Sequence, residues 1–224
     1  MVAASARTDA PGRRALESLC QQYWPPLYAF ARRRGLDPES ALDATQGFFA
    51  GLLDGPTLGR ADATRGRFRT YLLGCFSNFL ASEHRAAKRQ KRGGGERIMS
   101  IDARDAEARH GPELEDRSEP SDEFDRRWAI AVLDRAMERL REEYEQRGRG
   151  ELLDSLRGAL QGRAPGLDPG AASRLGLSEG AARVAVHRMR KRFAQILIEE
   201  VGQTVGDDAD VADEIRALRA AFSA

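Results

Sequence analysis

The chain has 224 residues, with 36 Lys plus Arg against 35 Asp plus Glu and a net charge of +1. Hydrophobic residues make up 41% and aromatic residues only 7%. That mix suits small helical modules with modest cores better than one large α/β core. No apolar run approaches the roughly 20 residues needed to span a bilayer, and residues 1–12 carry no secretory run, so neither a membrane protein nor a secreted one is expected. Cys20 and Cys75 lie far apart without a pairing motif, which excludes a disulfide scaffold and points to a reducing cytoplasm.

The near-zero net charge hides segregation. Residues 60–97 hold 10 basic and 3 acidic side chains, and residues 98–125 hold 3 basic and 10 acidic. Residues 171–193 hold 6 basic and 1 acidic, and residues 199–214 hold 7 acidic and none basic. Two cationic surfaces result, each followed by an acidic stretch. Such surfaces attract polyanions by counterion release, although solvated helix faces have the same composition.

Strand signals are scarce and helical periodicity is plentiful. Leu16, Leu19, Tyr23 and Leu27 recur at helical spacing, and Pro25-Pro26 should bend or restart that helix. Asp37-Pro38 starts a second helix with the apolar stripe Leu42, Thr45, Phe49 and Leu52, ended by Gly55-Pro56. A third begins near Arg67, with Phe68, Leu72, Phe76, Phe79 and Leu80 inward, and runs into the basic cluster from Arg85 to Arg92. Asn78 among these apolar residues reads, from the pattern alone, as a polar cap or bridge between helices. Gly93-Gly94-Gly95 then opens an acidic stretch with prolines at 112 and 120, expected to be a mobile linker. Beyond it, Leu133, Met137, Leu140 and Tyr144 mark one helix, and Leu152, Leu153, Leu156 and Leu160 another.

Residues 167–196 carry the sharpest local signal. Asp168 can cap a helix starting at Pro169, and Gly176 can close it in a left-handed conformation. Ser178 can cap the next helix, whose stripe Ala182, Val186, Met189, Phe193 and Ile196 faces inward. Arg183, His187, Arg188 and Lys191 lie off that stripe. A short helix, a glycine turn and a longer basic helix form a helix-turn-helix, which can set side chains against base edges in a major groove.

These residues resemble the extracytoplasmic-function (ECF) sigma factors of bacterial RNA polymerase, closest to the type with a C-terminal extension. Residues 171–183 look like the family's fourth conserved region, which binds the minus-thirty-five promoter element. The run Asp43-Ala44-Thr45-Gln46-Gly47-Phe48-Phe49 resembles its second region, with Gly47 where the family usually has an acidic residue. Phe68-Arg69-Thr70-Tyr71-Leu72-Leu73, continuing through Asn78 to Arg85, looks like the helix that engages the minus-ten element.

The resemblance implies an all-α protein of two small helical domains joined by a flexible acidic linker, the second containing the helix-turn-helix. The expected spans are a region 2 type domain over 13–92, a linker over 93–121, a region 4 type domain over 122–201 and a C-terminal extension over 202–224. It implies polymerase binding by Asp43, Gln46 and Phe49. It implies minus-ten binding by Arg65, Arg67, Arg69, Asn78, Arg85, Lys88 and Arg89. It implies minus-thirty-five binding by Ser178, Arg183, Val184, His187, Arg188 and Lys191. The partners would be core RNA polymerase and promoter DNA, with room for an anti-sigma factor or other regulator, and the place a cytoplasmic, nucleoid-associated one.

His84, His110 and His187 have no metal-ligand spacing, and no catalytic or phosphate-loop motif occurs, so no metal, no cofactor and no enzyme activity are expected. In the tail, Val205, Val211, Ile215, Leu218 and Phe222 suit an amphipathic helix packed on the C-terminal block, or a cover for its basic helix. Alternatives of other classes are a plain helix-turn-helix regulator and an adaptor whose basic faces meet acidic proteins.

Overall fold

Asp37 makes the first corner of the fold. Its carboxylate accepts from the Ser40 backbone N–H at 2.9 Å and caps the helix that Pro38 begins. In the computed structural model, which describes residues 10–54, 67–90, 101–111, 119–160, 172, 176–203, 205 and 208–222, every regular element is such a helix. The described helices are α1 (Ala10–Arg33), α2 (Pro38–Asp54), α3 (Phe68–Gln90), α4 (Ile101–His110), α5 (Pro120–Gln146), α6 (Gly150–Leu160), α7 (Glu179–Gly202) and α8 (Asp208–Ala220). None is long and apolar enough to cross a membrane. The chain divides into two units, residues 1–131 with 202–224, and residues 132–201.

The first unit is built on α1, α2 and α3. Helix α1 runs unbroken through Pro25 and Pro26, where a bend or a restart was expected, so there is no restart. A helix-interior proline costs about 3 kcal/mol, whereas burying one large apolar side chain returns about 1.5–3 kcal/mol. Tyr23, Leu27, Tyr28 and Phe30 are all buried around the two prolines, so packing outweighs the lost backbone bonds. Gly35, at φ 89°, closes α1: the Leu36 N–H reaches back to the Ala31 carbonyl at 3.2 Å. The core is aromatic. Phe48 of α2 meets Phe76 of α3 edge-on at 5.0 Å, and Phe30 of α1 lies 6.1 Å from Phe76.

Residues 101–110 fall inside the expected mobile linker, yet form α4 and pack on α1 and α2. The composition misled because the buried residues are small: Ala103 and Ala106 let the helix approach closely. A polar lock then holds it. Arg32 grips Glu107 with two parallel bonds of 2.7 Å, and the Tyr28 hydroxyl donates to the same carboxylate at 2.8 Å. Arg32 holds the Glu107 carboxyl below its ordinary range, while burial and Glu107 raise the Tyr28 phenol well above its own. Phe124 and Trp128 of α5 are also buried, and the first unit extends past 121 to Ala131.

The C-terminal extension forms α8 and belongs to the first unit, which also holds residues 122–131, the first part of the block on which it was expected to pack. Its buried Glu214 decides this, because the carboxylate pairs with Arg69 of α3.

The second unit packs α6 and α7 against the later part of α5. Ala136, Leu140, Leu153, Leu156, Val186, Met189 and Ile196 form its core. Around it, carboxylates hold arginines. Glu200 of α7 is 2% exposed and pairs with Arg135 and Arg139 of α5, and Arg192 grips Glu143 with contacts down to 2.5 Å. Cys20 and Cys75 form no disulfide, and both are half-buried.

The Glu107 lock gives a test with a definite sign. Its carboxyl is depressed below the ordinary 4.5, so its contribution is full above that value and fades as pH falls through the lowered one. Glu107→Gln should cost about 1–3 kcal/mol in denaturant melts at pH 7. The gap between variant and wild type should narrow progressively as the pH falls below the ordinary 4.5.

Candidate nucleic-acid and polymerase interfaces

Helix α2 turns a narrow polar face outward. Asp43 and Gln46 are exposed on it, with Gly47 and Ala50 beside them. The opposite face buries Ala41, Leu42, Thr45, Phe48 and Leu52, and the Thr45 hydroxyl donates to the Ala41 carbonyl at 2.7 Å. Phe49 departs from its assignment as a polymerase contact. It is 6% exposed, with its ring edge-on to Phe48 at 5.9 Å, because it continues the apolar stripe that α2 presents to the core. The outward pair is therefore Asp43 and Gln46.

Helix α3 buries Leu72, Phe76 and Leu80 and half-buries Phe79. The two phenyl rings stack 6.4 Å apart and act as core, as their spacing implied. The exposed stripe runs Thr70, Gly74, Asn78, Ala81 and Arg85, at steps of three and four. Asn78 thus faces outward and bridges no buried helices. Thr70, Gly74 and Ala81 share this face and were not singled out from the sequence. Their small side chains leave the helix surface low around Asn78.

The arginines expected to follow phosphates do not all stand on that stripe. Arg85 does. Arg67 is partly exposed at the start of α3. Arg69 departs from expectation: it is 5% exposed, its guanidinium lies 4.7 Å over the Trp128 ring, and it pairs with Asp125 and Glu214. A buried arginine needs carboxylates around it, and these two come from α5 and α8. The signal for Glu214 was present in the sequence: an acidic residue stands beside Ile215 in the apolar stripe of Val211 and Leu218. Arg65 and most of the segment before α3 lie outside the described residues. Lys88 and Arg89 lie on α3, and their side chains lie outside the described set.

In the second unit the turn before α7 has the geometry its sequence implied. Gly176 adopts φ 62°, and the Leu177 N–H reaches the Ala172 carbonyl at 2.9 Å across it. The Ser178 hydroxyl oxygen accepts from the Ala181 N–H at 3.2 Å and caps α7. Residues 161–171 and 173–175, where the preceding helix was expected, lie outside the described residues. Along α7, Ala182, Val186, Met189 and Ile196 are buried, and Phe193 is half-buried. Ser178, Arg183, Val184, His187, Arg188 and Lys191 are all exposed, Val184 at 48%. A large apolar residue half exposed among cations suits contact with a base methyl group. Arg183 is held loosely by Glu179 at 3.6 Å, with both side chains largely in solvent. Among the described residues no cluster of His, Cys, Asp and Glu could hold a metal ion.

Residues 19–90, which run from within α1 to the end of α3, match the sequence model of the family described as Sigma-70 region 2. No curated protein and no solved structure matches the chain. The region 2 match supports a sigma-70 family factor acting in promoter recognition and transcription initiation. Core RNA polymerase and promoter DNA are the partners of such a region.

The turn before α7 can be tested by stability alone. Ser178→Ala should cost about 1 kcal/mol through the lost cap. Gly176→Ala should cost at least as much, about 1–2 kcal/mol, because an L side chain is strained at this φ. Arg183→Ala, on the exposed face, should stay within about 0.5 kcal/mol in the same thermal melts.

Proposed function

We propose that this chain is a sigma factor of the extracytoplasmic-function type that brings core RNA polymerase to promoters and helps open them. The match of residues 19–90 to Sigma-70 region 2 carries this reading. The first unit holds polymerase through the exposed Asp43 and Gln46, which suit a partner's arginine fork. The stripe of α3 from Thr70 to Arg85 meets the separated minus-ten strand. Its low surface admits a base beside Asn78, and its basic end follows the phosphates.

The second unit reads the minus-thirty-five duplex as a region 4 type helix-turn-helix. The observation favouring it is the capped, solvent-facing start of α7 with Arg183, Val184, His187 and Arg188 outward. Arginine and histidine address base edges, and Lys191 addresses phosphate. The protein works as a specificity subunit in the cytoplasm, without catalysis of its own, metal or cofactor, and a regulator of the anti-sigma kind is compatible with its exposed α2 face. A plain duplex-binding regulator is the second reading, favoured only by the features of α7.

Transcription from a library of genomic fragments by purified core polymerase, with and without this protein, separates the two readings. Initiation at discrete sites only in its presence is the expected result; duplex binding with no polymerase complex would favour the plain regulator. Asp43→Ala should weaken co-purification with core polymerase by about tenfold, the loss of one charge-assisted hydrogen bond. Arg188→Ala should cost about 1–3 kcal/mol of duplex affinity and relax preference at one base position. Lys191→Ala should weaken all duplexes alike and reduce the salt slope by about 1.

A further inference from the structure

The start of α3 carries a contact that no motif foretold. Glu214 of α8 lies against the two arginines that lead into the strand-binding helix. Its carboxylate is 2.7 Å from Arg69 Nε and 3.6 Å from Arg67 Nε. A carboxylate presents to a guanidinium the same pair of anionic oxygens that a phosphodiester does. The contact is also incompletely formed. Glu214 is 2% exposed and Arg69 5%, yet neither Glu214 Oε2 nor Arg69 Nε makes an aligned hydrogen bond among the described residues. Among the described residues of α8, Leu218 is the buried apolar side chain, Val211, Ile215 and Ala217 are half-buried, and Phe222 just beyond the helix is half exposed. Beside the contact a cleft of about 620 Å³ opens, lined by Arg67, Arg126 and Arg216 and equally by Asp122, Asp125 and Asp213. Arg67 therefore already borders solvent on one side.

We propose that α8 is an internal phosphate mimic, in which Glu214 occupies the place on Arg67 and Arg69 that a strand phosphate takes when the first unit binds DNA. The inference rests on the reading of α3 as the strand-binding helix and adds its regulation. Departure of α8 leaves Asp125 on Arg69, so the Arg69 charge stays matched and Arg67 is the cation set free. The device makes strand binding conditional. DNA, or a partner that captures α8, must outcompete a carboxylate that is always at hand.

The full-length protein and its Glu214→Gln variant are titrated with a fluorescent, mixed-sequence single-stranded 20-mer at several salt concentrations. The variant should bind about fivefold tighter or more, with a log–log salt slope steeper by about 0.7 for each phosphate newly engaged. Adding Arg67→Ala to it should abolish the gain. Amide exchange across residues 208–220 of the wild type should accelerate at least tenfold on saturation with the same strand. Equal affinities and unchanged exchange overturn the mimic; if Arg67→Ala alone still weakens binding, the strand-binding reading stands. No strand binding by any form, with no core polymerase complex, overturns that reading and the mimic with it. If Glu214→Gln loses its helical circular dichroism, the wild-type exchange result decides: acceleration supports the mimic, and no change overturns it.

Discussion

Arginine forks gripped by carboxylates from far along the sequence fix where these helices dock. The cores are small and the aromatic content is low, so apolar burial supplies most of the stability but little directional information. A paired guanidinium is directional, and a buried one must be paired. Arg32 fixes α4 through Glu107, and Arg69 fixes α5 and α8 through Asp125 and Glu214. In the second unit Arg135 and Arg139 fix α7 through Glu200, and Arg192 holds Glu143. The alternation of basic and acidic blocks, which leaves the whole chain near neutral, is therefore the imprint of packing as well as of polyanion binding.

That double use explains what could and could not be read in the sequence. Helix starts and stops at Asp37, Gly176 and Ser178 were legible because caps are local, set by residues a few positions apart. The buried stripes of α3 and α7 were legible because helical periodicity is local too. Helix α4 was not, because its buried face is made of alanines and its anchor is a glutamate, which a composition count scores as linker. The continuity of α1 through Pro25-Pro26 was hidden for the opposite reason, since a strong local breaker was overruled by tertiary burial.

The candidate sites divide the same way. Exposed positions on α2 and α7 followed from the face opposite each apolar stripe, and Asp43, Gln46, Arg183, His187 and Arg188 stand there. Phe49 and Arg69 are turned inward, which a motif does not foretell because it names residues without saying which way they point. A basic run looks uniform as letters, yet Arg69 lies against Trp128 while Arg85 stands in solvent. Function on such a surface depends on which cations are left unspent by the fold, and only the three-dimensional pairing sorts them.

The order of the units along the chain has a consequence for biosynthesis. Helix α8 belongs with the N-terminal helices, but the ribosome makes it after the entire intervening unit. The nascent first unit thus emerges with the Glu214 side of Arg69 unoccupied, and closing that long loop carries an entropic penalty that grows slowly with its length. A chain still tethered to its messenger is for that interval a different electrostatic object from the released protein, with more positive charge toward any nearby polyanion.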